Sequence, residues 1–279
     1  MRPSERLTLL ALLAATALTV VLWPAGAVPR LAVFLAMAAA TVWLLPAKTG
    51  TAPGFVRDWL PVAIVITMFL LLQPVIEAGV SWRLDGWLAA IDARYLGWLV
   101  GPWFGAFGRP APLTDAVYAA YFSFYLLPIT VAAIAWRRDA VTFERTVFPL
   151  LLTFYLTFLG YLLLPAAGPR LAAAEEARQL GGGALSDLVR AFLHAAEATT
   201  LDAFPSGHTA VAVVAGALGW RLLRPAAAAA VWAWAVAVVF ATVYLHVHYA
   251  ADILAGLLVA AAVLTACRKR RRGRATIRA

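Results

Sequence analysis

Eight apolar runs of near-bilayer length constrain this chain more than any other feature. A helix crossing the hydrocarbon core needs roughly 20 mostly apolar residues, because it rises only about 1.5 Å per residue. The runs fall at about 7–23, 30–46, 59–77, 113–136, 144–165, 206–223, 226–247 and 248–266. The second and sixth are slightly short, and the last two meet with almost no loop. No water satisfies backbone polar groups inside a bilayer, so such runs must form helices or a closed barrel, and this length selects helices. The expected fold is all-α: a polytopic transmembrane bundle of about eight spans.

Composition agrees and removes the soluble classes. Of 279 residues, 63% are hydrophobic and only 13% charged, far from a soluble domain's balance. A formal net charge of +9 invites nucleic acid as a partner, but the basic residues form no face. They sit in short clusters between apolar runs, as topology signals do, so the expected partners are the bilayer and a membrane lipid, not nucleic acid. One cysteine, Cys267, excludes an internal disulfide framework and a cysteine-rich metal site.

The arginines and lysines orient the map. With a cytoplasmic N-terminus, sixteen fall inside, including Arg2, Arg6, Arg137, Arg138 and the tail from Arg268, and seven fall outside. The positive-inside rule favours that orientation. Segments 166–205 and 246–248 then share the extracytoplasmic side. An alanine- and arginine-rich composition points to a GC-rich bacterial genome, hence to the cytoplasmic membrane. Arg2 and Arg6 before an apolar run, with "AGA" at 25–27, resemble a signal peptide. The run is long for one and reads as a span.

Residues 81–110 carry Trp82, Trp87, Trp98 and Trp103 among Arg83, Asp85, Asp92 and Arg94. Too charged to span, they suit an amphipathic helix in the interface, as an aromatic anchor rather than a substrate contact. In "YAAYFSFY", 118–125, Tyr118, Tyr121, Phe122 and Tyr125 share a helical spacing that is ordinary packing, with acyl-chain contact as the alternative. The chain divides into 1–112, N-terminal spans with the Trp-rich segment; 113–267, a helical core; and 268–279, a basic cytoplasmic tail.

Polar chemistry gathers in three short segments on one side. In "LLLPAAGPR", 162–170, prolines and glycine end a span and leave Arg170 at its outer end. A snorkelling arginine is the plain reading, on the side where arginine is least expected. In "FPSGHT", Pro205 suits a first helical turn, and Ser206 and Gly207 leave N–H groups exposed beside His208. Unpaired N–H groups and the positive dipole end make such a start an anion site. In "YLHVHYAADILAG", 244–256, His248 and Asp252 stand four apart and share a face on a helix. A carboxylate on one ring nitrogen fixes the tautomer and leaves the other a free lone pair, as a nucleophile or base requires. A carboxylate in an apolar run costs about 2.5–3.5 kcal/mol at a helix centre, which an aligned imidazole offsets. His246 would point elsewhere.

Together these groups suit phosphoryl transfer without metal or other cofactor. One ring attacks phosphorus, the other protonates the departing oxygen, and cations hold the remaining oxygens. Such a pair should give a bell-shaped pH profile. A metal site is the rival, but four histidines without paired cysteines or H-E-x-x-H fit it poorly. A non-catalytic carrier or scaffold for an anionic headgroup is the alternative of another class.

The sequence resembles the type 2 phosphatidic acid phosphatase superfamily. "PSGH" at 205–208 matches its second motif, and His248 with Asp252 matches the H-x-x-x-D of its third, over roughly residues 113–266. The resemblance implies a phosphohistidine at His248, orientation by Asp252, leaving-group protonation by His208, and phosphate contacts from Arg170, Ser206 and Gly207. Two of the family's cations are replaced: Leu163 stands at the first-motif lysine, and Ala241 and Thr242 stand at Ser-Arg of the third motif. "GPR" and "T-x-Y-L-x-x-H-Y-x-x-D" look like the branch containing inositol phosphorylceramide synthases, with sphingomyelin synthases as more distant relatives. Hydrolysis and transfer to a lipid hydroxyl both remain open. A pocket with fewer cations should hold a singly charged diester better than a dianionic monoester, although Arg178, Arg190 or His246 would restore charge. Residues 171–200 read as two short helices around Gly181–Gly183, the place for substrate selection, with His194 on a surface.

Overall fold

The computed structural model of the chain describes residues 1–48, 50–96, 110–169, 181–196 and 201–276. Among them every regular element is helical: α1 (Pro3–Leu22), α2 (Ala27–Trp43), α3 (Ala52–Gly79), α4 (Asp85–Ile91), α5 (Ala111–Phe122), α6 (Leu126–Trp136), α7 (Ala140–Leu163), α8 (Ala184–Ala196), α9 (Gly207–Leu222), α10 (Pro225–Tyr244) and α11 (Ala250–Thr276). A single 3-10 turn, Ser123–Tyr125, joins α5 to α6, so the two run as one span over Ala111–Trp136.

Local chemistry sets the starts. The Thr51 hydroxyl accepts from Gly54 N at 3.1 Å with Pro53 in the first turn, and the Asp139 carboxylate accepts from Thr142 N at 2.8 Å. Both satisfy donors that a helix start otherwise leaves unpaired. The Thr142 bonds hold the Asp139 carboxyl below its ordinary range.

All eight expected runs are helical, but among the described residues six rather than eight helices are long and apolar enough to cross a bilayer. The two that fall short are α2, with 17 residues, and α9, with 16. For α9 the reason is its surroundings. It packs against α6, α7, α10 and α11, and most of it is buried by protein rather than presented to lipid. A helix enclosed by neighbours need not match the bilayer. Its small residues permit that enclosure: Gly216 lies against the Trp232 ring and Gly219 against Val231, where a side chain would force the helices apart.

At the end of the bundle where α3 and α7 begin, a buried polar network ties α1 to α3, α6 and α7. Glu5, 2% exposed, accepts from Arg57 Nε at 2.7 Å, while Asp58 accepts from Arg2 and from Trp136 Nε1. Glu144 takes the backbone N–H and hydroxyl of Ser4. The opposite end gathers the termini of α7 and α10 and the starts of α9 and α11.

Candidate active site

Three breaks between helices meet at that end, and each is shaped by its sequence. After α7, Pro165 O accepts from Leu84 N at 2.9 Å and Ala166 O from Ala203 N at 2.9 Å. Gly168 follows at φ +80°, a conformation that favours glycine, with its Cα against the carbonyl of Val247. The turn that leads to Arg170 therefore abuts the turn that leads to His248. Arg170 and Arg178 lie outside the described residues, as do Trp98 and Trp103 and the side chain of His194.

The second break ends in the start of α9. Phe204–Pro205 is a cis peptide, and Ser206 caps the helix: its hydroxyl accepts from Thr209 N at 3.2 Å and donates to Thr209 Oγ1 at 3.0 Å. Ser206 N donates to the backbone oxygen of Asp252 at 3.0 Å. Gly256 on α11 faces Ser206 O, so the two helix starts touch through backbone. Gly207 leaves its space to the Tyr161 hydroxyl. The expected phosphate contact Ser206 is thus engaged in its own cap.

In the third break, His246 adopts φ +56°, uncommon for a residue with a side chain, and closes the end of α10. Val247 N and His248 N both donate to Thr242 O. That reversal brings His248, 3% exposed, back over the start of α11.

The expected His248–Asp252 pair is present, but not along one helix. His248 precedes α11, and Asp252 sits in its first turn with its carboxylate folded back across the helix start. Asp252 Oδ2 lies 3.3 Å from His248 Nδ1 and accepts from Tyr249 N at 2.8 Å. The same oxygen therefore serves both groups, and Oδ1 has no hydrogen-bond partner among the described residues. On its far side, His248 Nε2 lies 3.3 Å from His208 Nδ1. Asp252, His248 and His208 form one line, with Asp252 wholly buried.

Sequence reasoning missed what holds this line. His208 packs against Tyr121 at 4.8 Å, nearly parallel, and against Phe124 at 4.4 Å. The aromatic cluster read as ordinary packing is the wall of the His208 site. The Trp-rich segment does more than anchor. Trp87 is 60% exposed, yet its neighbour Leu88 is buried against Ala166, Ala203 and Tyr249. Asp85 accepts from the N–H groups of Ala167 and Gly168, both within 3.1 Å. Asp92, in the π turn that follows α4, accepts from Ala250 N at 2.7 Å and Ala251 N at 3.0 Å. One short helix with its π turn thus grips the turn before Arg170 and the start of the helix carrying Asp252. The charge alternation of 83–94 was the available signal; nothing local names the partners.

These carboxylates shape the field. Burial pushes Asp92 above its ordinary range, although the two N–H groups pull it back. Burial, with Asp85, Asp252 and Asp92 around it, pushes the Tyr249 hydroxyl up to about 12. Of the candidate replacement cations, Arg190 lies over the Tyr118 ring and pairs with Asp187 at 2.7 Å. Leu163 is exposed and Thr242 is buried. Among the described residues no three His, Cys, Asp or Glu side chains converge as a metal would require.

Asp92→Ala removes the acceptor for two first-turn donors of α11. It is expected to lower the stability of the detergent-solubilised protein by about 1–2 kcal/mol, as loss of a helix cap does. Turnover should fall more than KM rises, because Asp252 shifts with its helix. An unchanged melting temperature and kcat would remove Asp92 from this account.

No curated protein and no solved structure matches the chain. The model of the PAP2 superfamily matches residues 86–266. That match covers well over half of the chain and contains both histidines, Asp252 and the Asp92 brace, and with six membrane-length helices around them the chain belongs to the PAP2 superfamily, as a membrane protein of the phosphatase type.

Proposed function

We propose that this protein cleaves or transfers the phosphoryl group of a membrane lipid through a phosphohistidine on His248, with no metal. The observation that carries this reading is the Asp252–His248–His208 line, at 3.3 Å on both sides of His248. Asp252 holds the proton on Nδ1, which leaves Nε2 with the lone pair that attacks phosphorus. The N–P bond forms as the lipid oxygen leaves, and His208 delivers the proton to that oxygen. Water or a lipid hydroxyl, deprotonated by His208 in turn, then breaks the N–P bond.

The two ring nitrogens now touch, so no phosphorus fits between them. Substrate must part the rings, while Asp252 and Thr242 O hold the segment of His248. Arg170, with N–H groups at the start of α9, supplies positive charge to the remaining oxygens. The arginine distribution supports a site at the extracytoplasmic face.

Incubation with labelled phosphatidic acid, an isoprenyl diphosphate or phosphatidylinositol, with and without ceramide or diacylglycerol, tests the reading and separates its two forms. Phosphate released without acceptor marks a phosphatase; label moved to the acceptor lipid marks a headgroup transferase. The inositol phosphorylceramide synthase-like form has one observation in its favour. Asp85 and Asp92 add negative charge where cations are already few, which disfavours a dianionic monoester against a singly charged diester. A labelled protein that binds these lipids and turns none over would instead be a carrier.

His208→Asn is expected to lower turnover of a lipid alkyl phosphate by roughly 10²–10⁴-fold, the range for a lost general acid. With an aryl phosphate, whose leaving group needs no proton, the loss in the first-turnover burst of released phenol should shrink to within about ten-fold, while the second step stays slow for want of a base. Equal losses in the release step on both substrates would assign His208 another role.

A further inference from the structure

The cavity that reaches His208 is a cleft within the bundle, open on one side. On α7 its wall runs from Tyr161 beside the catalytic end to Val147, through residues three and four apart. That stripe on one helix face is about 21 Å long. Ala132, the last lining residue along α6, lies toward the Val147 end, because α6 and α7 are joined by residues 137–139 alone, and Val65 and Phe69 on α3 form the facing side. Among the described residues, charged or titrating groups line it at the catalytic end, where Asp202, His208 and the Tyr161 hydroxyl stand; beyond them the lining is aliphatic and aromatic, apart from the Tyr125 hydroxyl. Val65, Ala132, Val147 and Leu151 are each at most 3% exposed, whereas Ile66, also in the lining, is 45% exposed. The cleft therefore opens sideways on the surface that faces the bilayer.

A long apolar slot with its polar groups confined to one end has the shape of an amphiphile. Water gains too few partners there to fill it, and a hydrocarbon chain from the bilayer needs no dehydration to enter. We infer that the cleft takes one hydrocarbon chain of the lipid whose phosphoryl group meets His248, and that its far end sets the preferred chain length. This rests on the catalytic reading above and adds a substrate determinant to it. The wall on α3 lies outside residues 86–266. The N-terminal helices are thus assigned a part in chain selection that the family match does not cover. "FSFY" at 122–125 joins the two functions: Phe124 packs on His208 and also lines the cleft.

The test compares Ala132→Phe, which fills the far end, with Leu159→Phe on the exposed face of α7, against n-alkyl phosphates from hexyl to octadecyl. Ala132→Phe should lower the octadecyl-to-hexyl ratio of kcat/KM by roughly ten-fold or more, the scale at which a pocket rejects excess methylenes. Leu159→Phe should leave that ratio as in the wild type. Ala132→Leu, a smaller step in the same direction, serves if the phenylalanine variant does not fold. In parallel, an octadecyl phosphate with a terminal diazirine is photolysed on His248→Ala protein, which needs no turnover. Label at Val62 or Val147, lost in the Ala132 variant, supports the cleft even if every form proves inactive, in which case the catalytic reading alone fails. Label spread over lipid-facing positions such as Leu159, or a chain-length ratio unchanged in the Ala132 variant, overturns the inference while leaving the catalytic reading intact.

Discussion

Replacing His248 with alanine is expected to lower turnover by roughly 10⁴–10⁶-fold, the scale of losing a nucleophile whose covalent intermediate carries the reaction. Labelled substrate quenched during turnover should leave an acid-labile phosphoenzyme on the wild type and none on the variant. The geometry makes the effect specific. Nε2 is the only nitrogen of this ring aimed away from Asp252, and it faces the second histidine across 3.3 Å. No other described side chain stands in that line. Gel filtration of the solubilised variant separates lost chemistry from lost folding, since His248 is buried and its removal leaves a small cavity. Turnover that survives in a folded variant would end the phosphohistidine assignment.

At Asp252 two substitutions should part company. Asp252→Ala removes the acceptor that fixes the His248 tautomer, and turnover should fall by roughly 10³–10⁴-fold, as in other histidine–carboxylate pairs. Asp252→Asn should fall less, by roughly 10–150-fold. The reason is that His248 Nδ1 and Tyr249 N converge on the one oxygen Oδ2. An asparagine oxygen in that place accepts both bonds, and its NH2 takes the position of the unpartnered Oδ1. What it lacks is the charge that stabilises the imidazolium-like phosphohistidine, worth about 1.5–3 kcal/mol in a charge-assisted bond. kcat/KM measured on one lipid phosphate for all three forms gives the order. If asparagine were as inactive as alanine, charge rather than tautomer control would be the larger contribution; if alanine were active, Asp252 would not orient the ring.

Much of the site was legible before any coordinates. Pro205, Ser206 and Gly207 announce a helix start, and α9 begins at Gly207 with Ser206 as its cap. The spacing of His248 and Asp252 announces a pair, and they do pair. The physical reason given for it was incomplete: an i,i+4 face presumes a continuous helix, whereas the chain reverses at His246 and the carboxylate folds back onto the turn. Positive φ at a histidine has no signature in hydropathy. The span count also went beyond what the structure supports. Hydropathy treats apolar runs alike, and α9 is apolar because protein surrounds it.

The sequence by itself determined that this chain is a helical membrane protein, roughly where its apolar helices lie, and which titratable groups sit near their ends. Those properties follow from local spacing, caps and apolar length, each readable within a few turns of chain. Only the tertiary structure decided that Asp85 and Asp92 grip two distant turns, that Tyr121 and Phe124 wall His208, and that α3 closes one side of a cleft ending at the same ring. Each of these joins residues some 80 to 160 positions apart. Contacts of that range depend on how helix faces pack, and small residues such as Gly168 and Gly256 set how closely the backbones can approach.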